Sequence, residues 1–355
     1  MNPIVAHLNA VATAVPDHDV HQAFIGWAEN RIADPRERAI FRRMAERSGI
    51  EHRWSVLPPT SAGGSPVAEG GFYAIDPLPP TSARMTLYAQ AAPSLALDAV
   101  AGLGPLGTIS HLVVASCTGF VAPGIDQILA AALGLEDGVE RTLVGFMGCY
   151  AAVAALRTAH HIVRSTPTAR VLVVTVELSS LHLQPETAIE PLLSMLQFGD
   201  GAAAALVTAE PRGLALERFF AATLPESDAL IRWTIGDQGF AMHLSGEVPG
   251  RIGRALADPT FVDRLRGPEP IAAIDAWAIH AGGRSILDAV EHGLGLPDHA
   301  LAASRDVLAR YGNMSSSTLM FVLAELLARD DARTGLAMAF GPGLAAEGFG
   351  FRRVC

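Results

Sequence analysis

Three residues whose types can act together as nucleophile, base and hydrogen-bond donor stand at three turns of the chain. Cys149 lies in GFMGCYAA, where a short apolar run gives way to an alanine-rich helical stretch. A cysteine at a helix N-terminus meets unpaired N–H groups and the positive end of the dipole, which favour thiolate over thiol. Its flanking glycines permit the tight turn that such a placement needs. The competing reading is a small buried cysteine in a helix–strand contact. His280 closes the apolar run AIDAWAIH and is followed at once by Ala-Gly-Gly, so a ligand can approach it closely. A histidine at a strand end can equally be structural. Asn313, in YGNMSSS, stands at another helix mouth. Its side chain can cap that helix, or donate to an oxyanion as a thioester carbonyl is attacked or decarboxylated.

Other histidines fit less well. His160 and His161 lie on the helix that Cys149 opens, about 16 Å along its axis, too far to reach the thiol. His18 and His21 fall at a loop-to-helix junction and do not make a convincing zinc site. Cys117, Cys149 and Cys355 are scattered, without the spacing of a metal knuckle or a disulfide framework, which suits a reducing cytoplasm. The segment PRERAIFRRMAERSG, residues 35–49, is basic within a chain of net charge −10. Arg43 and Arg47, spaced i,i+4, share a helix face with Arg36. That face is either solvated or a landing site for a phosphorylated ligand.

The elements that must position these residues follow from hydrophobic pattern. HLVVAS (111–116), TLVGF (142–146), RVLVVTVEL (170–178) and TGLAMAF (334–340) read as buried strands alternating with helical stretches, which is an α/β layered design. AAAALVTA (202–209) fits a strand by context and a helix by composition. Residues 57–84, rich in Pro, Gly and Ser, read as a long surface loop. Half the residues are hydrophobic and 17% charged, a folded chain long enough for two domains or two fused halves. No apolar run spans a bilayer, the first residues lack a signal-peptide pattern, and the acidic balance disfavours nucleic acid. Gly148-Cys149 and Gly312-Asn313 each open a helix, a faint internal echo of a duplicated fold with one central site.

In order and at their separations, GCYAAVAALR, FGDGAAAAL, AIHAGGRSILD, YGNMSSS and AFGPGLAAE resemble the type III polyketide synthases, the chalcone synthase family, with SCTGF and HLSGEVPG in support. The resemblance implies a thiolase-like αβαβα fold of two similar halves, 1–212 and 213–355, a homodimer, and no metal or organic cofactor. It implies Cys149 as the acyl-carrying nucleophile, with His280 and Asn313 holding it as thiolate and promoting decarboxylation of malonyl-CoA. Phe198 matches the aromatic gate between CoA tunnel and cavity; Met242, His182, Trp233, Cys117 and Ser315 fall on cavity positions. Arg43, Arg47 and Arg284 fall at the CoA entrance. Met242 stands for a second gate phenylalanine and Ala122 for a methionine, while Trp233 replaces a glycine and His182 a smaller residue. Trp233 should narrow the cavity, and the departures lean towards an aliphatic starter giving alkylpyrones or alkylresorcinols, with a malonyl-only route to a naphthalene-type product as the other option. The implied reaction loads an acyl-CoA starter, extends it with malonyl-CoA and cyclises the chain. A ketoacyl synthase III-like enzyme stopping after one condensation, and a non-catalytic acyl-CoA-binding homologue, are the rival readings.

Overall fold

A computed structural model describes residues 4–267, 270–329 and 332–354; Cys355 lies outside the described residues. Among the described residues nine strands form one continuous sheet, whose two parts are similarly ordered apart from an extra edge strand, Glu140–Gly145. From one edge the order is Glu140–Gly145, His111–Ser116, Val171–Leu178, Asp200–Thr208 and His7–Ala14. It continues with Gly213–Thr223, Ala345–Val354, Thr334–Gly341 and Ala276–Ile279. On one side Val171–Leu178 runs parallel to His111–Ser116 and antiparallel to Asp200–Thr208. On the other, Thr334–Gly341 runs parallel to Ala276–Ile279 and antiparallel to Ala345–Val354. The two sets meet through a short antiparallel pairing of His7 and Leu8 with Ala215 and Leu214.

Two helices lie between the half-sheets. Ala151–Ser165 follows Cys149, and Ser316–Leu327 follows Asn313. A helix that is apolar around its circumference is buried on all sides. Nine of the twelve residues of Ser316–Leu327 are buried, including Ser316, Ser317 and Thr318 in its first turn. Both helices contribute to one core with strand residues from both halves, among them Val173, Ala203, Ala278 and Ala337. Two further cores lie on the outer faces. One gathers the helix Thr81–Ala101 with its neighbours, the other the helices Val248–Leu256, Pro259–Arg266 and Arg284–Leu294. The layers are therefore helix, sheet, helix pair, sheet, helix: a thiolase-like arrangement.

The ambiguous alanine run is a strand. Its backbone bonds to Val171–Leu178 on one side and His7–Ala14 on the other. Composition could not decide this because alanine favours helices when isolated, whereas two waiting strand edges leave only the extended state. Small side chains there are needed: a Cβ at Gly201 would press on Met314, with Cγ at 3.2 Å. The Pro/Gly-rich loop ends at residue 80, where the helix Thr81–Ala101 begins.

Each central helix is entered through a positive-φ glycine, Gly148 at 77° and Gly312 at 68°. Gly148 abuts the proline ring of Pro342, whose Cγ would lie 2.6 Å from an added Cβ. Gly148→Ala should therefore cost about 2 kcal/mol or more and displace Cys149. Thermal unfolding and iodoacetamide labelling of Cys149 read both effects; a native melting temperature with a native labelling rate would contradict the role given to this turn.

Candidate active site

Cys149 occupies a 3-10 turn, Gly148–Tyr150, that runs into Ala151–Ser165. It is buried, and Ser315 and Asn313 from the mouth of the second central helix stand close enough to its sulfur to favour the anion. The Asn313 amide is held at both ends: Oδ1 accepts from the Ser315 N–H at 2.8 Å, and Nδ2 donates to the Gly282 carbonyl at 3.2 Å. That carbonyl belongs to the turn after His280. A Cβ at Gly282 would lie 3.3 Å from the imidazole Cδ2 and 3.4 Å from Nε2, so glycine lets the turn fold against the ring. The histidine itself sits one residue past the strand Ala276–Ile279, and its backbone N–H donates to the Met338 carbonyl at 2.9 Å. Among the described residues neither of its ring nitrogens has a hydrogen-bond partner.

Three of the four described non-glycine residues with positive φ border this region: Phe146, Ser315 and Leu344. Strain of this kind persists only where surrounding packing over-determines it, and it clusters at functional sites.

Burial acts against one sequence expectation. Burial pushes the Cys149 thiol up to about 12, against the opposing pull of Ser315 and Asn313 beside it. Burial alone takes His280 down to about 3. Burial thus works against the charged form of each group, opposing the thiolate and imidazolium expected from the sequence. Magnitudes explain the outcome: a helix terminus contributes about 0.3–1 kcal/mol. Full desolvation shifts a pKa by up to about 3–5 units, each about 1.4 kcal/mol.

Glu177 is the residue that sequence reasoning passed over. One carboxylate oxygen accepts from the Cys117 N–H at 2.9 Å and the Thr118 hydroxyl at 3.0 Å, while the other accepts from the Ser316 hydroxyl. It therefore ties the Cys117 strand end to the start of the second central helix. Burial raises its carboxyl to about 7 despite those donors, and its charge in turn raises Cys149. The available signal was an acid within the otherwise apolar strand VLVVTVEL.

A narrow space beside the sulfur is bounded by Cys117, Phe198, Trp233, Met242 and Ser315, with a volume of about 20 Å³. That is room for roughly one water, and Trp233 forms part of its wall. Met242 pairs with Trp233 across the hairpin Ile231–Gly236/Gly239–Leu244, and the Trp233 indole N–H donates to the Cys117 carbonyl at 2.8 Å. Beyond these side chains opens a second cavity of about 260 Å³. Ser179, Phe198, Trp233 and Met242 belong to both spaces. His182 lines only the larger one. Its Nε2–H donates to the Thr118 carbonyl at 2.7 Å, Nδ1 accepts from the Phe240 N–H at 3.0 Å, and its ring stacks on Phe240 with centroids 4.2 Å apart. Both nitrogens are spent, so His182 is a strut of the wall with no free group for a substrate. Ala122 borders neither space. The loop after residue 57 supplies Leu57, Pro66, Val67 and Tyr73 to the larger cavity, a role its composition did not reveal.

The arginines are only partly gathered. Arg43 is exposed on the helix Pro35–Glu46, and Arg47 caps it. Arg284 opens the helix after the His280 turn and its Nη1 donates to the Arg47 carbonyl at 3.2 Å. His18 and His21 make no metal cluster: His21 is buried with Nδ1 accepting from Arg53 at 2.9 Å. Among the described residues no group of three or more His, Cys, Asp or Glu is placed to hold a metal ion, and no helix is long and apolar enough to cross a membrane.

Comparison with known proteins adds an independent line. Residues 2–211 match the family model of the N-terminal domain of chalcone and stilbene synthases, and residues 216–355 that of the C-terminal domain. Over 98% of its length the chain is 35% identical to the alpha-pyrone synthesis polyketide synthase-like Pks18 of Mycobacterium tuberculosis, covering 91% of that protein. It is 32% identical to type III polyketide synthase 10 of Oryza sativa subsp. japonica, over 98% of this chain and 92% of that one. The C-terminal type III polyketide synthase domain of Steely1 from Dictyostelium superposes with a TM-score of 0.88 at 27% identity, covering 99% of this chain and 100% of that one. PKS-I from the brown alga Ectocarpus siliculosus gives 0.87 at 30% identity, with both chains fully covered.

Glu177→Gln should lower the pH at which Cys149 becomes alkylatable and speed labelling several-fold at neutral pH, because it deletes a buried charge beside the thiol. The carboxyl of Glu177 is raised from 4.5 to about 7 on folding. Its stabilising contribution is thus present below the ordinary value and lost as pH rises through about 7, and the variant should lack that loss. An iodoacetamide pH profile and melting curves across this range, both unchanged from wild type, would contradict the assignment.

Proposed function

From the premise that the chain belongs to the chalcone and stilbene synthase family, and so is a type III polyketide synthase and a condensing acyltransferase, we propose that it extends an aliphatic acyl-CoA starter with malonyl-CoA and releases a cyclised alkylpyrone or resorcinol-type product. The observation that carries the choice of starter is the larger cavity. Phe24, Leu57, Val67, Leu183 and Met195 line it, and it adjoins the space around Cys149 through Phe198, Trp233 and Met242. An alkyl tail buried there leaves its thioester at the sulfur, and burial of each methylene contributes about 0.8 kcal/mol. The similarity to a relative named for alpha-pyrone synthesis points the same way.

In this reading Cys149 gives its proton to His280 as the acyl-CoA thioester arrives, and the sulfur attacks the carbonyl. CoA leaves as thiolate and takes up the proton. Malonyl-CoA then loses CO₂, and the electron pair of the broken C–C bond becomes an enolate with charge on the thioester oxygen. His280 and Asn313 donate to that oxygen, which replaces any need for a metal or organic cofactor. The enolate carbon attacks the acyl-Cys149 carbonyl and the sulfur departs as thiolate; that thiolate then attacks the CoA thioester of the lengthened chain, expelling CoA, and carries the chain for another round. Arg43, Arg47 and Arg284 receive the CoA phosphates at the mouth. A reducing cytoplasm suits a reaction that needs Cys149 as a free thiol.

We further infer a homodimer built on the edge strand Glu140–Gly145. Leu143 is 45% exposed and Phe120 beside it 44%, and an apolar, unpaired sheet edge is a template for association.

Purified protein supplied with a panel of acyl-CoAs and malonyl-CoA should yield cyclised products by mass analysis. Medium-to-long alkyl starters should be preferred over aromatic ones, and Cys149→Ala should reduce condensation by about 10³-fold or more. Native turnover by Cys149→Ala would sink the catalytic assignment; preference for an aromatic starter would sink the assignment of the cavity. Light scattering should give twice the 37.2 kDa chain mass, falling to one chain in Leu143→Arg. A wild-type monomer would refute the dimer.

A further inference from the structure

Arg53 is an arginine that the proposed chemistry does not use, yet it is only 3% exposed. Taking a guanidinium out of water costs several kcal/mol unless its hydrogen bonds are well met. Here Nη1 donates to two carbonyls of one turn, Met195 at 3.1 Å and Phe198 at 2.8 Å. Nε donates to His21 Nδ1, the guanidinium carbon lies 4.7 Å from the centre of the Phe24 ring, and among the described residues Nη2 has no hydrogen-bond partner. Asp19 and Asp200 supply the nearby negative charge.

The turn that Arg53 grips is the one that touches Asn313. The Asn313 N–H donates to the Gln197 carbonyl at 2.7 Å, and the Gly199 N–H donates to the Asn313 carbonyl at 3.0 Å, so Phe198 sits between the two bonds as the partner of Asn313 in a lone β-bridge. Residue 312 closes the stack. A Cβ there would lie 2.9 Å from Arg53 Cγ and 2.9 Å from the Gln197 carbonyl oxygen, so only glycine lets the arginine stem pass beneath the bridge. The order is thus Arg53, then the carbonyls of Met195 and Phe198, then Asn313, then the sulfur of Cys149. The Nε bond to His21 fixes the plane of the guanidinium, so the two Nη1 donors hold the turn in one place, where a single ammonium would leave it free to rotate.

We propose that Arg53 is a positioning residue for the condensation. By fixing the 195–199 turn it sets where the Asn313 amide and the Phe198 ring stand, without itself touching the reacting atoms. The inference rests on the reading of Asn313 as a donor to the enolate. A donor displaced by a fraction of an ångström loses much of its transition-state contribution, whereas the cysteine, on another helix, keeps its place.

The test compares wild type, Arg53→Met, Arg53→Lys, Asn313→Ala and the double variant Arg53→Met/Asn313→Ala in the full chain. Four readouts apply: malonyl-CoA decarboxylation, KM for malonyl-CoA, Cys149 alkylation and melting temperature. Arg53→Met should lower kcat for decarboxylation by about tenfold or more while KM and alkylation stay within about threefold of wild type. Added to Asn313→Ala, it should lower the residual rate no further, a non-additivity that general destabilisation does not produce. Arg53→Lys, which keeps the cation but cannot bond His21 and the turn at once, should fall between; it also serves if Arg53→Met does not fold. Native decarboxylation in Arg53→Met or Arg53→Lys would overturn the proposal, as would equal fold losses with and without Asn313. If Asn313→Ala itself decarboxylates at the native rate, the reading of Asn313 has failed, and that result is distinct from a failure of Arg53.

Discussion

The burial of two helices between two half-sheets is the constraint on which the rest of the molecule depends. Ser316–Leu327 is buried almost all round and Ala151–Ser165 along every face but the stripe of Arg157, Thr158, His161 and Arg164, so their ends are fixed by the layers around them. A helix wedged in this way cannot slide without exposing apolar surface or opening a void in close-packed material. Its mouth is therefore a fixed point in space. Cys149 stands at one mouth and Asn313 at the other, and the His280 turn is pressed against Asn313 through the Gly282 carbonyl. Residues 164 positions apart in the chain meet because the layers leave them no alternative.

The same burial sets the electrostatics. A site sealed by Trp233, Phe198 and Met242 offers little water, so every ionisable group in it moves towards its neutral form. Cys149 and Glu177 rise while His280 and His182 fall, all with desolvation as the leading cause. A dry cavity is a poor place to store a charge and a good place to stabilise one that develops briefly beside preset donors, because those donors face little competition from solvent. Polar links of this interior, such as Glu177 to Ser316 and Arg53 to Phe198, connect segments that helix and strand packing alone would leave unregistered.

Around the sulfur the space is divided by a hairpin. The register that pairs Trp233 with Met242 puts both side chains between the small space and the large one, and the His182–Phe240 stack braces them from behind. The loop of residues 57–80, with no regular structure through most of its length, forms the outer wall of the large cavity; Tyr73 anchors it with a hydroxyl donating to the Ser180 carbonyl at 2.8 Å. The shape available to a substrate tail is thus decided by one strand register and one irregular loop.

Much of this was legible in the amino-acid order. The strands around 111–116, 170–178 and 334–340 are apolar runs of strand length, the Gly148-Cys149 and Gly312-Asn313 turns carry their own backbone signature, and five motifs in series carry the family resemblance. Local chemistry writes those features directly into residue type. What the order alone left open depends on neighbours remote in the chain. The alanine run became a strand only because two strand edges flank it. Burial opposes the thiolate expected of Cys149, because the helix mouth that should favour the anion is closed off from water. Glu177 and Arg53 were invisible as organisers, since a lone acid or arginine means nothing until the backbone groups it binds are known. A sequence states which hydrogen bonds and burials each residue can make; only the packed layers decide which are made and at what distance from solvent.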